Sequence, residues 1–498
     1  MRRIEADDAL VARNPATGAV LGRASPTDPD DVAGIVERAR VAQQDWGRTS
    51  HRERREALRR WWRILARDSD AWALAIRDAI GKPSNEAMGE VLAALDAVRW
   101  TVLNSGKALA DQRIGPGWQR AMLIPPARLR WMPVGVVGMI GTWNYPLYLN
   151  APPIAQAVAA GNAVVWKPSE LAAGLGVKLQ QSIDEAGFPS GLVAAVHGGP
   201  EVGRALVASR IDQGMFTGGV EAGRSIIGEL GRRGIPCVAE LSGFDPAVVL
   251  PDAPLPSTAR SLTWAAFVGA GQACVAVKRI YVIGDASPWA DALAAGAAAL
   301  RVGDPTAGNV DLGPMISASA RDRFQAMIER AVAAGGRILV GGRPAEGPGW
   351  FYPPTVLLAS DGGPEAALAG CFGPVVVVRG VPDDEAAVSA VNASPYGLSA
   401  SVWGRDRGRA DRIARRLEAG MVSINDAVTY SAHAAAPFGG LKASGFGRVG
   451  GVAGLRGLAQ PQVIHARSPG GFRPQLFPYS DRLAGLMTLY RRWFHPSR

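Results

Sequence analysis

The stretch Val134-Gly-Val-Val-Gly-Met-Ile140, running directly into Gly141-Thr-Trp-Asn-Tyr-Pro146, marks where the chain changes character. An uncharged run of this length, rich in valine and closed off by Gly141, suits a strand buried on both faces. Similar runs recur at 163–166, 192–196, 214–216 and 238–241, with helical spacing between them at about 150–160, 170–186, 200–209 and 220–233. Short buried strands alternating with helices predict βαβ units around a parallel sheet, an α/β fold. Such sheets bind ligands beyond the carboxyl ends of their strands.

Before this stretch the pattern is helical, over 28–46, 51–67, 69–80 and 84–105, with Gly81-Lys-Pro83 as a break. Asp28-Pro29 supplies an N-cap followed by proline at the first helical position. A second α/β section follows Asp245, with strands expected at 247–250, 279–283, 375–378 and 421–425. Helices are expected there at 257–266, near 317–334, and at 406–419, where Gly420 stops the last of them. No internal repeat is evident.

At 498 residues the chain is long enough for two or three domains, and 48% hydrophobic with 20% charged residues is a globular composition. The first residues carry no apolar core of a signal peptide, and no uninterrupted apolar run is long enough to span a bilayer. Cys237, Cys274 and Cys371 cannot form a paired framework and match no metal-site spacing, so no metal is expected and a reducing, cytoplasmic compartment is. The net charge of +10 is local. Residues 48–67 hold eight arginines against Glu53 and Glu56, and residues 466–498 hold six against Asp481. In the first stretch the arginines share a helical pattern with Trp61, Trp62, Ile64 and Leu65, as on a solvated helix face. Nothing resembles a nucleic-acid-binding module.

The segment Phe267-Val-Gly-Ala-Gly-Gln-Ala-Cys274 places one thiol on a small, glycine-rich turn between a helix and a strand. A substrate can approach a thiol there, and nearby donors can favour its ionised form. A buried structural cysteine is equally compatible with the segment alone. Gly445-Phe-Gly-Arg-Val-Gly450 fits the spacing of a dinucleotide fingerprint, but no strand leads into it and no βαβ unit surrounds it, so the match is discounted. After Ser468-Pro-Gly-Gly471, apolar Leu483, Leu486, Met487, Tyr490 and Phe494 recur at helical spacing among arginines. This amphipathic tail is read as packing on its own or a partner subunit, with peripheral contact to an anionic membrane as the minor alternative.

Taken together, seven segments resemble the aldehyde dehydrogenase superfamily: Thr142-Trp-Asn-Tyr-Pro146, Trp166-Lys-Pro-Ser-Glu170, Phe216-Thr-Gly-Gly219, Glu240-Leu-Ser-Gly243, Gly271-Gln-Ala-Cys274, Cys371-Phe-Gly-Pro374 and Pro437-Phe-Gly-Gly440 with the residues to Arg448. They stand in the family's order across most of the chain, with Glu240 and Cys274 34 positions apart. The Asn-Tyr-Pro variant and the long tail are similar to the branch acting on apolar, fatty or aromatic aldehydes.

The resemblance implies a Rossmann-type cofactor domain at 1–110 and 133–240, an α/β catalytic domain at 241–425, bridging and returning segments at 111–132 and 426–465, and a basic amphipathic tail at 466–498. It implies NAD-dependent oxidation of an aldehyde to the acid in a homodimer or homotetramer. Cys274 would be the nucleophile, Asn144 the oxyanion donor and Glu240 the general base. Trp143, Lys167, Glu170, Gly218, Gly219, Gly223 and Phe372 would contact the cofactor, with Lys167 and Glu170 at the adenosine ribose. A carboxylate at 170 favours NAD, while Lys167 leaves NADP open.

Three segments depart from the family pattern. Gly219 stands where serine is usual, and Gly370 replaces the glutamate that holds the nicotinamide ribose. Ser242-Gly-Phe244 replaces Gly-Gly-Lys. Two rivals remain at this point: a coenzyme A-acylating dehydrogenase, and a cofactor-binding protein with weak or no turnover, for which Gly370 is the main support.

Overall fold

The structure, a computed structural model, describes residues 9–115, 117, 124–467, 469, 473, 476–479 and 481–495. The sequence expectations for residues 1–8, for 118–123 within the 111–132 segment, for most of the 468–475 break and for 496–498 lie outside these residues.

The helices Val32–Trp46, His51–Arg67, Ser69–Ile80 and Ser84–Ala108 form the opening layer. The second begins with a capping box: Ser50 Oγ accepts from the Glu53 N–H at 3.3 Å, and the Ser50 N–H donates to Glu53 Oε2 at 2.7 Å. It buries Leu58, Trp61 and Leu65 and turns most of its arginines to solvent. Arg54 is the exception, buried with its guanidinium donating to the Gly47 carbonyl at 2.8 Å. Gly81, at φ +79°, ends the third helix in the left-handed conformation that a residue with Cβ avoids.

The first large sheet runs in the order Gly445–Phe446, Cys237–Leu241, Gln213–Gly218, Val136–Ile140, Ala163–Lys167, Val193–Ala195. Its last five strands are parallel, and the short first strand is antiparallel. Gly445 belongs to no dinucleotide turn. Its φ is +108°, it pairs with Glu240, and a Cβ there would strike the Ala239 carbonyl.

The second sheet runs Arg337–Val340, Thr355–Ala359, Val375–Val381, Val277–Ile283, Asp245–Val249, Ser399–Trp403, Met421–Ile424, with only its first strand antiparallel. Its helices include Leu255–Phe267, which leads to Cys274, and Ala318–Ala333. A third sheet joins Gln112–Ile114, Ala127–Pro133 and Ala459–His465, all antiparallel.

One helix ends sooner than its sequence suggests. The expected 406–419 helix is Arg407–Ala414. Beyond it the Asn392 side chain takes over the backbone's hydrogen bonds, donating to the Arg416 carbonyl and accepting from the Glu418 N–H, each at 2.9 Å. A side-chain amide that satisfies the backbone in this way competes with helix continuation.

Candidate active site

Thr142, Trp143, Asn144, Glu240, Cys274 and Phe372 share the wall of a cavity of about 1000 Å³. Thr142, Trp143 and Asn144 follow the carboxyl end of strand Val136–Ile140, Glu240 lies near the carboxyl end of strand Cys237–Leu241, Cys274 sits in the turn after helix Leu255–Phe267, and Phe372 lies in the loop that leads into strand Val375–Val381.

The turn before Cys274 is backbone under strain. Gly269, Ala270 and Gly271 are all left-handed, at φ +63°, +54° and +66°. For Ala270 that costs roughly 1–2 kcal/mol. Surrounding bonds hold the turn. The Gly269 N–H donates to Glu86 Oε2 at 2.9 Å, and the Gln272 side chain donates to the Gly269 carbonyl at 3.2 Å. Buried Lys278 donates to the Gly271 carbonyl at 2.7 Å and to the Gly373 carbonyl at 2.6 Å. Lys278 thus ties the turn before Cys274 to the loop that carries Phe372. Burial, then the carboxyls of Asp245 and Glu240, push the Cys274 thiol up to about 12, while the N–H groups of Cys274 and Val275 pull it down.

Asn144 is buried, its Nδ2 donates to the Gln272 carbonyl at 2.9 Å, and its Oδ1 accepts from Thr142 Oγ1 at 2.9 Å. The amide is therefore held by its oxygen, and Nδ2 retains a second hydrogen for a ligand in the cavity. Glu90 shapes the backbone that follows, accepting from the Leu147 and Tyr148 N–H groups at 2.8 and 3.2 Å. Lys82 pairs with Glu90 at 2.6 Å and lies 3.4 Å above the centre of the Tyr145 ring. Tyr145 is partly buried beneath Lys82 and does not line the cavity. Leu149 does.

Glu240 lies on strand Cys237–Leu241 with 5% of its surface exposed. Neither of its carboxylate oxygens has a hydrogen-bond partner among the described residues. Burial raises its pKa well above the usual carboxylate range, and Arg448 opposes the shift.

On the cofactor side, Trp143 and Phe372 meet edge to face, with centroids 5.8 Å apart and planes at 87°. Gly218 and Gly219 line the cavity where helix Val220–Arg232 begins, and a Cβ at Gly219 would meet nothing within 4 Å. Exposed N–H groups at a helix start suit an anionic group. Gly223 plays a different part: a Cβ there would run into Leu241, so its smallness serves helix-to-sheet packing. Lys167 and Glu170 pair at 3.0 Å beyond strand Ala163–Lys167, and neighbouring Leu171 reaches the cavity.

Several cavity or support residues lack a local signal in the sequence. Arg224, Arg323 and Tyr396 reach the wall only through the folding of distant segments. Glu86 and Glu90, one turn apart on the long helix after Pro83, had a signal in their spacing toward buried apolar neighbours. Cys371 is buried among Phe244, Phe324 and Tyr352, a packing residue.

The whole arrangement, a thiol on a strained turn that shares one cavity with an amide and a buried carboxyl between two mostly parallel sheets, is that of an α/β enzyme. Comparison with known proteins identifies it. The model of the aldehyde dehydrogenase family matches residues 4–464, and the chain belongs to that family. It is 36% identical to succinate-semialdehyde dehydrogenase of Paenarthrobacter nicotinovorans, over 90% of this chain and 98% of the relative. It is 34% identical to 4,4'-diapolycopene aldehyde oxidase of a Methylomonas species, over 95% and 88%. It is 33% identical to benzaldehyde dehydrogenase [NAD(+)] of Pseudomonas putida, over 91% and 92%. Among solved structures, Mycobacterium tuberculosis aldehyde dehydrogenase complexed with NAD+ superposes with a TM-score of 0.89 at 29% identity, over 95% and 97% of the two chains.

Proposed function

We propose that this chain oxidises an aldehyde to its carboxylic acid with NAD(P), through a thioester on Cys274. The observation that carries the reading is the Glu240 carboxyl, buried and unpartnered on the wall shared with Cys274 and Asn144. A polar group left in that state is costly unless it has work to do.

In this mechanism the Cys274 S–H proton passes to solvent, Sγ bonds the aldehyde carbon, and the carbonyl π electrons move to oxygen. The Asn144 Nδ2–H and the Cys274 N–H donate to that oxygen as its charge develops. NAD(P), when bound, supplies the acceptor for the carbonyl hydride. Trp143, Phe372, Gly218, Gly219 and the start of helix Val220–Arg232 would hold it, and the open space at Gly219 and the cavity's size fit such a group. Glu240 then takes a proton from water. The hydroxide oxygen bonds the acyl carbon, and the Cys274 thiolate leaves. A water-activating Glu240 favours hydrolysis over transfer to coenzyme A.

We read NAD as preferred, because the Glu170 carboxylate suits free ribose hydroxyls; its pairing with Lys167 leaves NADP usable. Leu149, Phe438, Met327 and Phe324 give the cavity an apolar lining suited to an apolar aldehyde. Arg323 on the same wall favours a second reading, an aldehyde carrying a carboxylate at its far end. The three free cysteines accord with a reducing, cytoplasmic setting. The strand Ala459–His465, with Val463 and Ile464 exposed, offers an edge for pairing subunits into a dimer or tetramer.

The test is NADH formation by the purified protein with NAD and a panel spanning aliphatic, aromatic and acid-tailed aldehydes, beside Cys274→Ala. Turnover that vanishes in the variant is expected, with apolar members preferred. NAD binding without turnover on any aldehyde would favour the weakly active reading that Gly370 supports.

A further inference from the structure

Two departures from the family pattern, Gly370 and Phe244, are distant in sequence and meet at one side chain. Gly370 has φ +76°, and a Cβ there would stand 2.5 Å from Tyr396 Oη. Phe244 packs edge to face on the Tyr396 ring, with centroids 6.3 Å apart and planes at 60°. The Arg279 guanidinium lies 4.8 Å from the centre of the Phe244 ring and its Nε donates to the Phe244 carbonyl at 3.0 Å, so the aromatic pair rests on a fixed base.

The Tyr396 backbone is fixed too. Tyr396 pairs with Lys442 across a two-residue antiparallel ladder, and its N–H donates to Ser394 Oγ at 3.2 Å. Its side chain lines the cavity that holds Cys274 and the Gly218–Val220 turn. Among the described residues no protein group bonds its hydroxyl. A pre-positioned hydroxyl with no partner, on the wall of a ligand cavity, is available to a ligand.

We propose that the Tyr396 hydroxyl, admitted by the bare Gly370 and aligned by Phe244, holds the nicotinamide-side ribose of NAD(P). The inference rests on the cofactor reading above. A molecule reaching from the helix start at Val220 to Cys274 shares its cavity with Gly370 and Tyr396, and a phenol can donate to or accept from a ribose hydroxyl. Gly370 then does not simply remove a contact. It makes room for a neutral one in place of a charged one, and a neutral contact is the weaker of the two.

Tyr396→Phe keeps the ring and its packing and removes only the hydroxyl. We expect the dissociation constant for NADH, read by ligand fluorescence, to rise about 3- to 10-fold, the scale of one neutral hydrogen bond. Affinity for AMP, which carries only the adenosine half, should not change, nor should the melting temperature. KM for NAD should rise more than KM for the aldehyde. Gly370→Ala supplies the second arm: its crowding of Tyr396 Oη should weaken NADH binding more in the wild-type background than in Tyr396→Phe. NADH binding equal in wild type and Tyr396→Phe would overturn this inference and leave the proposed function standing. A wild-type protein that binds neither NADH nor AMP would overturn the cofactor reading itself.

Discussion

At Cys274 two requirements oppose each other. Attack on a carbonyl uses the thiolate, yet burial and the neighbouring Asp245 and Glu240 carboxyls push the thiol up to about 12. A thiol whose pKa is raised stays protonated at neutral pH and gains reactivity as pH rises. Peptide-resolved alkylation of Cys274 by iodoacetamide, without cofactor, should therefore climb close to tenfold per pH unit from 7 to 10. A plateau below pH 9 would contradict this environment. Such a guarded thiol suits an enzyme that withholds its nucleophile until the site is filled. Cys274, Glu240 and Asn144 were legible in the sequence because each sits inside a contiguous motif whose neighbours mark it. Tyr396, Arg224 and Lys278 were not. Nothing beside them in the chain signals a role, and only folding brings Lys278 onto the carbonyls of Gly271 and Gly373.

The long helix Ser84–Ala108 does for the site what no loop could. From one face it sends Glu86 to the Gly269 N–H, in the turn that carries Cys274, and Glu90 to the N–H groups of Leu147 and Tyr148, just after Asn144. The proposed nucleophile and oxyanion donor are thereby referenced to one rigid element. Glu90 and Lys82 are both buried, so removing the carboxylate strands an ammonium out of water. Glu90→Ala should cost about 3–5 kcal/mol in urea unfolding, and catalysis in the surviving folded protein should fall as well. A loss within about 0.5 kcal/mol, the usual range of a surface change, would show the pair to be dispensable. The sequence revealed this helix by its apolar spacing but gave no register between it and the catalytic turns. Strands that are buried valine runs, such as Val136–Ile140 and Val375–Val381, were equally plain. Ser399–Trp403 escaped notice because its buried positions are partly serine, and Ala459–His465 because it is mostly exposed and lacks alternation.

At the scale of the molecule, two large sheets carry the site between them, and the excess basic charge is carried by residues 48–67 and the tail, no described residue of which lines the cavity. Among the described residues of the tail, the helix Asp481–Phe494 has no fully buried residue: Leu483 and Tyr490 are partly covered, while Leu486, Met487, Leu489 and Trp493 are each at least half exposed. No described helix is long and apolar enough to cross a membrane. The family match stops at residue 464, before this helix begins. A chain ending at residue 467 should then keep its melting temperature within about 2 °C, a shift too small for a helix that contributed more than about 2 kcal/mol to a chain of this size. It should also keep its turnover of small aldehydes; a marked loss of either would show the helix to be part of the folded body. The division of labour between thiol and carboxyl is open to rapid mixing of NAD and aldehyde with Glu240→Gln. A burst of about one NADH per active site followed by near arrest is expected, with no burst in Cys274→Ala. Steady turnover by Glu240→Gln at the wild-type rate would contradict it.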